Sequence, residues 1–189
     1  MNEIEKPKKN KKPKLERGVE TLFRSALSNH SQLSQIADNK ANILLSVNAI
    51  IISVALSSLV PKLNNPGKEH FLLPTFILIF SSVVSIIFAI LSTRPKVSHM
   101  HFSTNDLNQR KVNLLFFGNF THMHLEDFQQ RLHEMIYDRD YLYDSLAQDL
   151  FLLGKVLQHK YRLLRMTYHV FMFGIVISVL SFLLPFSNL

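Results

Sequence analysis

The chain has 189 residues, 47% of them hydrophobic, with 21 Lys and Arg against 14 Asp and Glu for a net charge of +7. It contains no cysteine, which excludes disulfide scaffolds, thiolate metal sites and a cysteine nucleophile. The charge is strongly segregated: residues 43–60, 71–92 and 167–186 hold no Lys, Arg, Asp or Glu.

Taken in chain order, residues 1–14 (MNEIEKPKKNKKPK) are rich in Lys and Pro and are expected to be disordered. From Leu15 the apolar residues recur at Val19, Leu22, Ala26, Leu33 and Ala37, in steps of three or four with a polar His30 in the same register. That period predicts a helix over 15–42. No Pro or Gly interrupts 19–60, so the same helix is expected to rise directly into a first span at 43–60. That span contains eleven Ile, Leu or Val residues. At roughly 0.3–0.6 kcal/mol each they favour insertion by about 5 kcal/mol, enough to carry Asn48 and the span's serines. More than forty residues precede it, which separates it from a secretory signal, and no lipidation signal is present.

Residues 61–70 read as a short external turn. Residues 71–92 form a second span with Pro74 in its first turn, where a missing N–H costs little. The region 93–166 opens irregularly, passes through the short apolar stretch VNLLFFGNFTHM, expected as a buried loop or short strand, and acquires a helical period from about 125. The period runs through Phe128, Leu132, Met135, Leu142, Leu146 and Leu157, is broken at Arg139, and feeds the third span at 167–186.

Basic residues set the orientation. There are nine in 1–42, two in 61–70 and ten in 93–166, which places the N-terminus and 93–166 in the cytoplasm. The same juxtamembrane lysines and arginines explain the positive charge without a nucleic-acid polymer. The predicted fold is an all-α integral membrane protein with three transmembrane helices. Two long cytoplasmic helices continue spans one and three, and a small irregular cytoplasmic loop region lies between.

Within the spans, small residues recur at helical steps: Ser46, Ser53 and Ser57 in the first, extended by Asn42 and Asn39; Ser81, Ser85, Ala89 and Ser92 in the second; Gly174, Ser178 and Ser181 in the third. Such rows let helices approach closely. Packing within the chain is the plainer explanation, and a polar path between copies is the alternative for the first row.

The search for chemistry returns little. The pairs His99-x-His101 and His122-x-His124 could serve zinc on a strand, but solvent-facing histidines account for them, and a hydrolase built on them would require bound metal. There is no HExxH, GxSxG, GxxxxGK[ST] or GxGxxG. No catalytic residue, metal site or cofactor is expected. One cluster, NHSQLSQIADNKANILLSVN at 29–48, brings His30, Asp38, Lys40 and Asn48 to the edge of the first span. Polar groups there are costly and mark either a bonded helix face or a gating or ligand-sensing collar.

This cluster, with NLLFFGNF at 113–120 and GKVLQHKYRLLRMTYHVF at 154–171, resembles the transmembrane effector family of Pycsar antiphage systems, a domain also found fused to HD-type phosphohydrolases. The likeness runs from about Val19 to Phe186. The motif NHxxLSxxADxKAxxLLxxN is matched by Asn29, His30, Leu33, Ser34, Ala37, Asp38, Lys40, Ala41, Leu44, Leu45 and Asn48. The resemblance implies a bacterial inner-membrane effector of abortive infection. A neighbouring cyclase makes cyclic UMP or cyclic CMP on infection, and the effector impairs the membrane. The chain has no HD domain, so a phosphohydrolase role is not implied. A cyclic nucleotide would want a cation for its phosphate and an aromatic face for its base. Lys155, Lys160, Arg162 and Arg165 with Tyr161 and Tyr168 offer both, as do Arg110 and Lys111 beside Phe116 and Phe117. The expected partners are the bilayer, the cyclic pyrimidine nucleotide and further copies of the chain. The alternative is a membrane adaptor that binds a cytoplasmic protein and makes no pore.

Overall fold

The computed structural model describes residues 12–63, 71–94, 114–121 and 123–183. Among them the protein is almost wholly helical and has no strand: α1 (Lys12–Leu63), α2 (Leu72–Thr93), the single turn α3 (Phe117–Phe120), α4 (Leu125–Tyr137) and α5 (Arg139–Leu183). Residues 12–14 of the expected 1–14 tail and 61–63 of the expected 61–70 turn belong to α1, while residues 1–11 and 64–70, His99, His101, His122 and the pair Arg110 and Lys111 lie outside the described residues.

Three helices are long and apolar enough to cross a membrane, and the chain is a multi-pass membrane protein. Their most apolar windows have mean hydropathies of 2.4, 2.5 and 1.9, yet only 22%, 22% and 17% of each window is buried within the chain. A water-soluble bundle would turn such residues inward; here they face outward, as hydrocarbon requires. α1 and α5, with 52 and 45 residues, are roughly 78 and 68 Å long, more than twice the thickness of a hydrocarbon core. Both continue beyond their spans without a break.

The chain divides into two compact units, the breaks falling at Gln32/Leu33 in α1 and at Leu152/Leu153 in α5. The first unit holds the N-terminal part of α1, α3, α4 and the start of α5. Its core takes Leu114, Phe116, Asn119 and Met135, all at or below 6% exposure, with the Phe120 and Phe128 rings 5.4 Å apart. The described part of the stretch expected as a loop or strand thus buries Leu114, Phe116 and Asn119, but it closes into a helical turn. The single helix expected from about 125 is interrupted at Asp138. The backbone there is extended, and the Asp138 carboxylate accepts a hydrogen bond from the Tyr141 N–H at 3.2 Å, capping α5. Next to that break Arg139 pairs with Glu16 of α1 at 3.0 Å and lies over the Tyr143 ring. Its pKa is held above the ordinary guanidinium value by a hydrogen bond with Tyr143 and then by the Glu16 carboxylate.

The second unit holds the remainder of α1, α2 and the remainder of α5. α2 and α5 run antiparallel and are joined by hydroxyl-to-carbonyl bonds: Ser92 Oγ to the Lys160 carbonyl at 3.1 Å, Ser85 Oγ to that of Thr167 at 3.4 Å, and Ser178 Oγ to that of Pro74 at 2.9 Å. Between these rungs Gly174 packs so tightly on Ser81 that an added Cβ would collide with the serine side chain. In lipid there is no hydrophobic drive between helices, so close packing and interhelical hydrogen bonds hold the pair. The rows of small residues in spans two and three are therefore intrachain seams. The first row is not: Ser46, Ser53 and Ser57 are all exposed.

Candidate functional site

α1 joins the α2–α5 pair through one face. Its fully buried Ala37 and Ala41, with Leu44, pack on Leu164 of α5, flanked by Tyr161 and Phe171. The alanines bring the helix axes close enough for polar side chains at the rim to meet. There the Lys160 ammonium sits 2.9 Å from both Asp38 carboxylate oxygens, hydrogen-bonding Oδ2, and donates to Ser34 Oγ at 2.9 Å. Tyr161 donates its hydroxyl to the Leu33 carbonyl at 3.1 Å. Because Ser92 bonds the Lys160 carbonyl, this one residue is tied to both other helices. We call the group the polar clasp. The Lys160 side chain is only 16% exposed and that of Asp38 38%. Without the carboxylate, that largely buried ammonium would keep only Ser34 as its partner.

Further along α1, Asn48 is completely buried where the three spans meet. Its Nδ2 donates to the Leu44 carbonyl at 2.8 Å and to Ser85 Oγ at 3.2 Å, and Ser85 passes a hydrogen bond on to the Thr167 carbonyl. Asn48 Oδ1 takes no hydrogen bond. A buried acceptor left unmatched is costly in a low-dielectric interior.

The residues singled out by sequence do not form one pocket. Asp38, Lys160 and Tyr161 come together in the clasp, and Asn48 forms the separate polar node. Lys40 and Arg162 are exposed. His30 is half-buried on α1 within the first unit. Arg110 lies outside the described residues. The sequence missed the roles of Ser34, Ser85, Ser92 and Thr167. The signal for Ser85 and Ser92 was the row of small residues along α2, which marks a seam but not its partner. Among the described residues no three His, Asp or Glu side chains gather as a metal site. A groove of about 740 Å³ along α2 and α5, lined by Phe76, Phe80, Phe173 and Ile177, offers a phosphate only His169 and Ser81. It suits acyl chains better than a nucleotide.

The matched motif now has a physical meaning. Ser34, Ala37, Asp38, Ala41, Leu44 and Asn48, which share one side of the helix, are the residues α1 turns toward its neighbours. Compared with models of known families, the chain matches the Pycsar effector protein domain, PycTM, over residues 21–185. It belongs to the Pycsar effector family. The match takes in the clasp, the Asn48 node and all three spans, and it places this effector in antiphage defence. PycTM is a transmembrane effector domain and not a known catalytic family. Neither the curated proteins nor the solved structures compared with the effector include a match.

Proposed function

We propose that the protein is the membrane-damaging arm of an antiphage response. It sits in the bacterial inner membrane with its N-terminus in the cytoplasm, responds to cyclic UMP or cyclic CMP made on infection, and impairs the membrane as an assembly of copies, so that the infected cell dies before phage matures. The reading is supported chiefly by the family domain spanning nearly the whole three-span architecture. The helices give it a physical route: α1 and α5 each pass without a break from the polar unit into a span. A ligand that prefers one arrangement of their water-side parts shifts the equilibrium of the membrane parts by its difference in affinity.

The test is dye release from vesicles of bacterial lipid containing the purified protein. Cyclic UMP or cyclic CMP is expected to release dye where cyclic AMP does not. Nucleotide binding without release would leave a membrane adaptor instead, and an absence of both would remove the effector mechanism.

A further inference from the structure

α1 carries a second face, opposite the one that packs. Gln35, Asn39, Asn42, Ser46, Ser53 and Ser57 are spaced by four, three, four, seven and four, with Ala49 filling the gap, and every one of them is exposed. At about 100° per residue they lie roughly half a turn around the helix from Ala37, Ala41, Leu44 and Asn48. The period is close to 3.5 and no member is charged. In sequence the same spacing continues backward through Gln32, Ser28, Ser25 and Thr21.

At bilayer depth this face is out of place. All exposed positions of α2 from Leu73 to Leu91, and of α5 from Met172 to Leu183, are apolar. The outward surface of the α2–α5 pair is therefore made for lipid, whereas α1 turns the Ser53 and Ser57 hydroxyls outward in the same layer, with Ser46, Asn42, Asn39 and Gln35 continuing the face toward and beyond the membrane edge. Ser46 and Ser53 return their protons to the Asn42 and Ala49 carbonyls at 3.0 Å, which leaves oxygen lone pairs facing outward as acceptors. Exposing such groups to hydrocarbon is costly.

We infer that this face of α1 is the surface by which copies of the chain associate, each covering the α1 face of another. The chemistry selects that occupant. A carboxamide both donates and accepts, so a row of Asn and Gln is complementary to itself. An uncharged face brings no like charges together on a chain whose net charge is +7. Copies inserted in one orientation place their α1 helices parallel, so that in a two-fold pair Asn42 meets Asn42 and Ser46 meets Ser46. Asn at such a position fixes register in parallel helix pairs. Ser46, Ala49, Ser53 and Ser57 are small enough to let the helices approach, and a period of 3.5 gives a left-handed crossing near 20°. The inference rests on the proposal that the protein acts as an assembly, and it names the residues that build it.

The chain has no cysteine, so single substitutions report cleanly. Ser46→Cys and Ser53→Cys, each outward-facing and conservative, are reconstituted in vesicles and oxidised with and without cyclic UMP and cyclic CMP. Both are expected to give disulfide dimers at least fivefold above Ile87→Cys and Val176→Cys, which sit on the exposed apolar faces of α2 and α5. Equal yields at all four sites, or no dimer at the two serines in any condition, overturn the inference. Ser53→Phe, which leaves the packed face untouched, is expected to cut energy transfer between differently labelled copies by more than half, and unchanged transfer counts against it. Dimers at the serines with no dye release would preserve the interface and defeat the nucleotide-effector mechanism. Release without serine dimers would do the reverse.

Discussion

Removing the Asp38 carboxylate from the clasp isolates the interaction that ties α1 to α5. At the observed 2.9 Å, and with an effective dielectric near 20, the gross attraction is roughly 6 kcal/mol. Desolvation of a largely buried ammonium cancels most of it, and a charged hydrogen bond of this kind nets about 1.5–3 kcal/mol. The two single substitutions should differ because burial is uneven. Asp38→Ala leaves a nearly buried ammonium with only Ser34 and should cost about 2–3 kcal/mol. Lys160→Met leaves a carboxylate that can still reach water and should cost about 1 kcal/mol. The double variant, with no charge stranded, should lose about 2 kcal/mol, for a coupling near 1.5 kcal/mol. Unfolding in mixed detergent micelles, followed by circular dichroism, reads all four corners. Lys40→Ala is the control: its side chain is exposed, and its effect should stay within about 0.5 kcal/mol. Strict additivity of the Asp38 and Lys160 variants, or a Lys40 effect as large as theirs, would refute the reasoning.

Asn48→Ala removes an unmatched acceptor together with its donor, while Ser85 keeps the Thr167 carbonyl. The same unfolding measurement should show a change below about 1 kcal/mol, the scale of polar contacts between membrane helices. A loss above 2 kcal/mol would mean that the node is a main support of the bundle. Gly174→Ala drives a Cβ into Ser81 and should cost about 1–3 kcal/mol by overpacking. Ser81→Gly in the same chain should recover more than half of that loss, and no recovery would show that the α2–α5 contact is not the cause.

The three spans were legible because charge-free runs of this length have one physical solution, and the passage of α1 into its span was legible because nothing in 19–60 stops a helix. The kink at Asp138 was half legible: the period faltered at Arg139, but a side chain capping a new helix three residues later leaves no mark on hydrophobic spacing. The pairing of Lys160 with Asp38 was hidden, since each alone reads as an ordinary charge at a membrane edge and the two are 122 residues apart in sequence. The serine rows were the most instructive. Three rows looked alike, yet two face inward and one outward. A helix's own spacing says which residues share a side; only the neighbouring helices decide which side is covered.

α2 is barely longer than the bilayer is thick, whereas α1 and α5 keep going past it as unbroken rods. Within the second unit α1 presents a packed face of Ala37, Ala41 and Leu44 and, half a turn away, an uncharged polar one. Turned by half a revolution, α1 would exchange its alanines for its amides, and the seam against α5 would pass from greasy to hydrogen-bonding with no change of sequence.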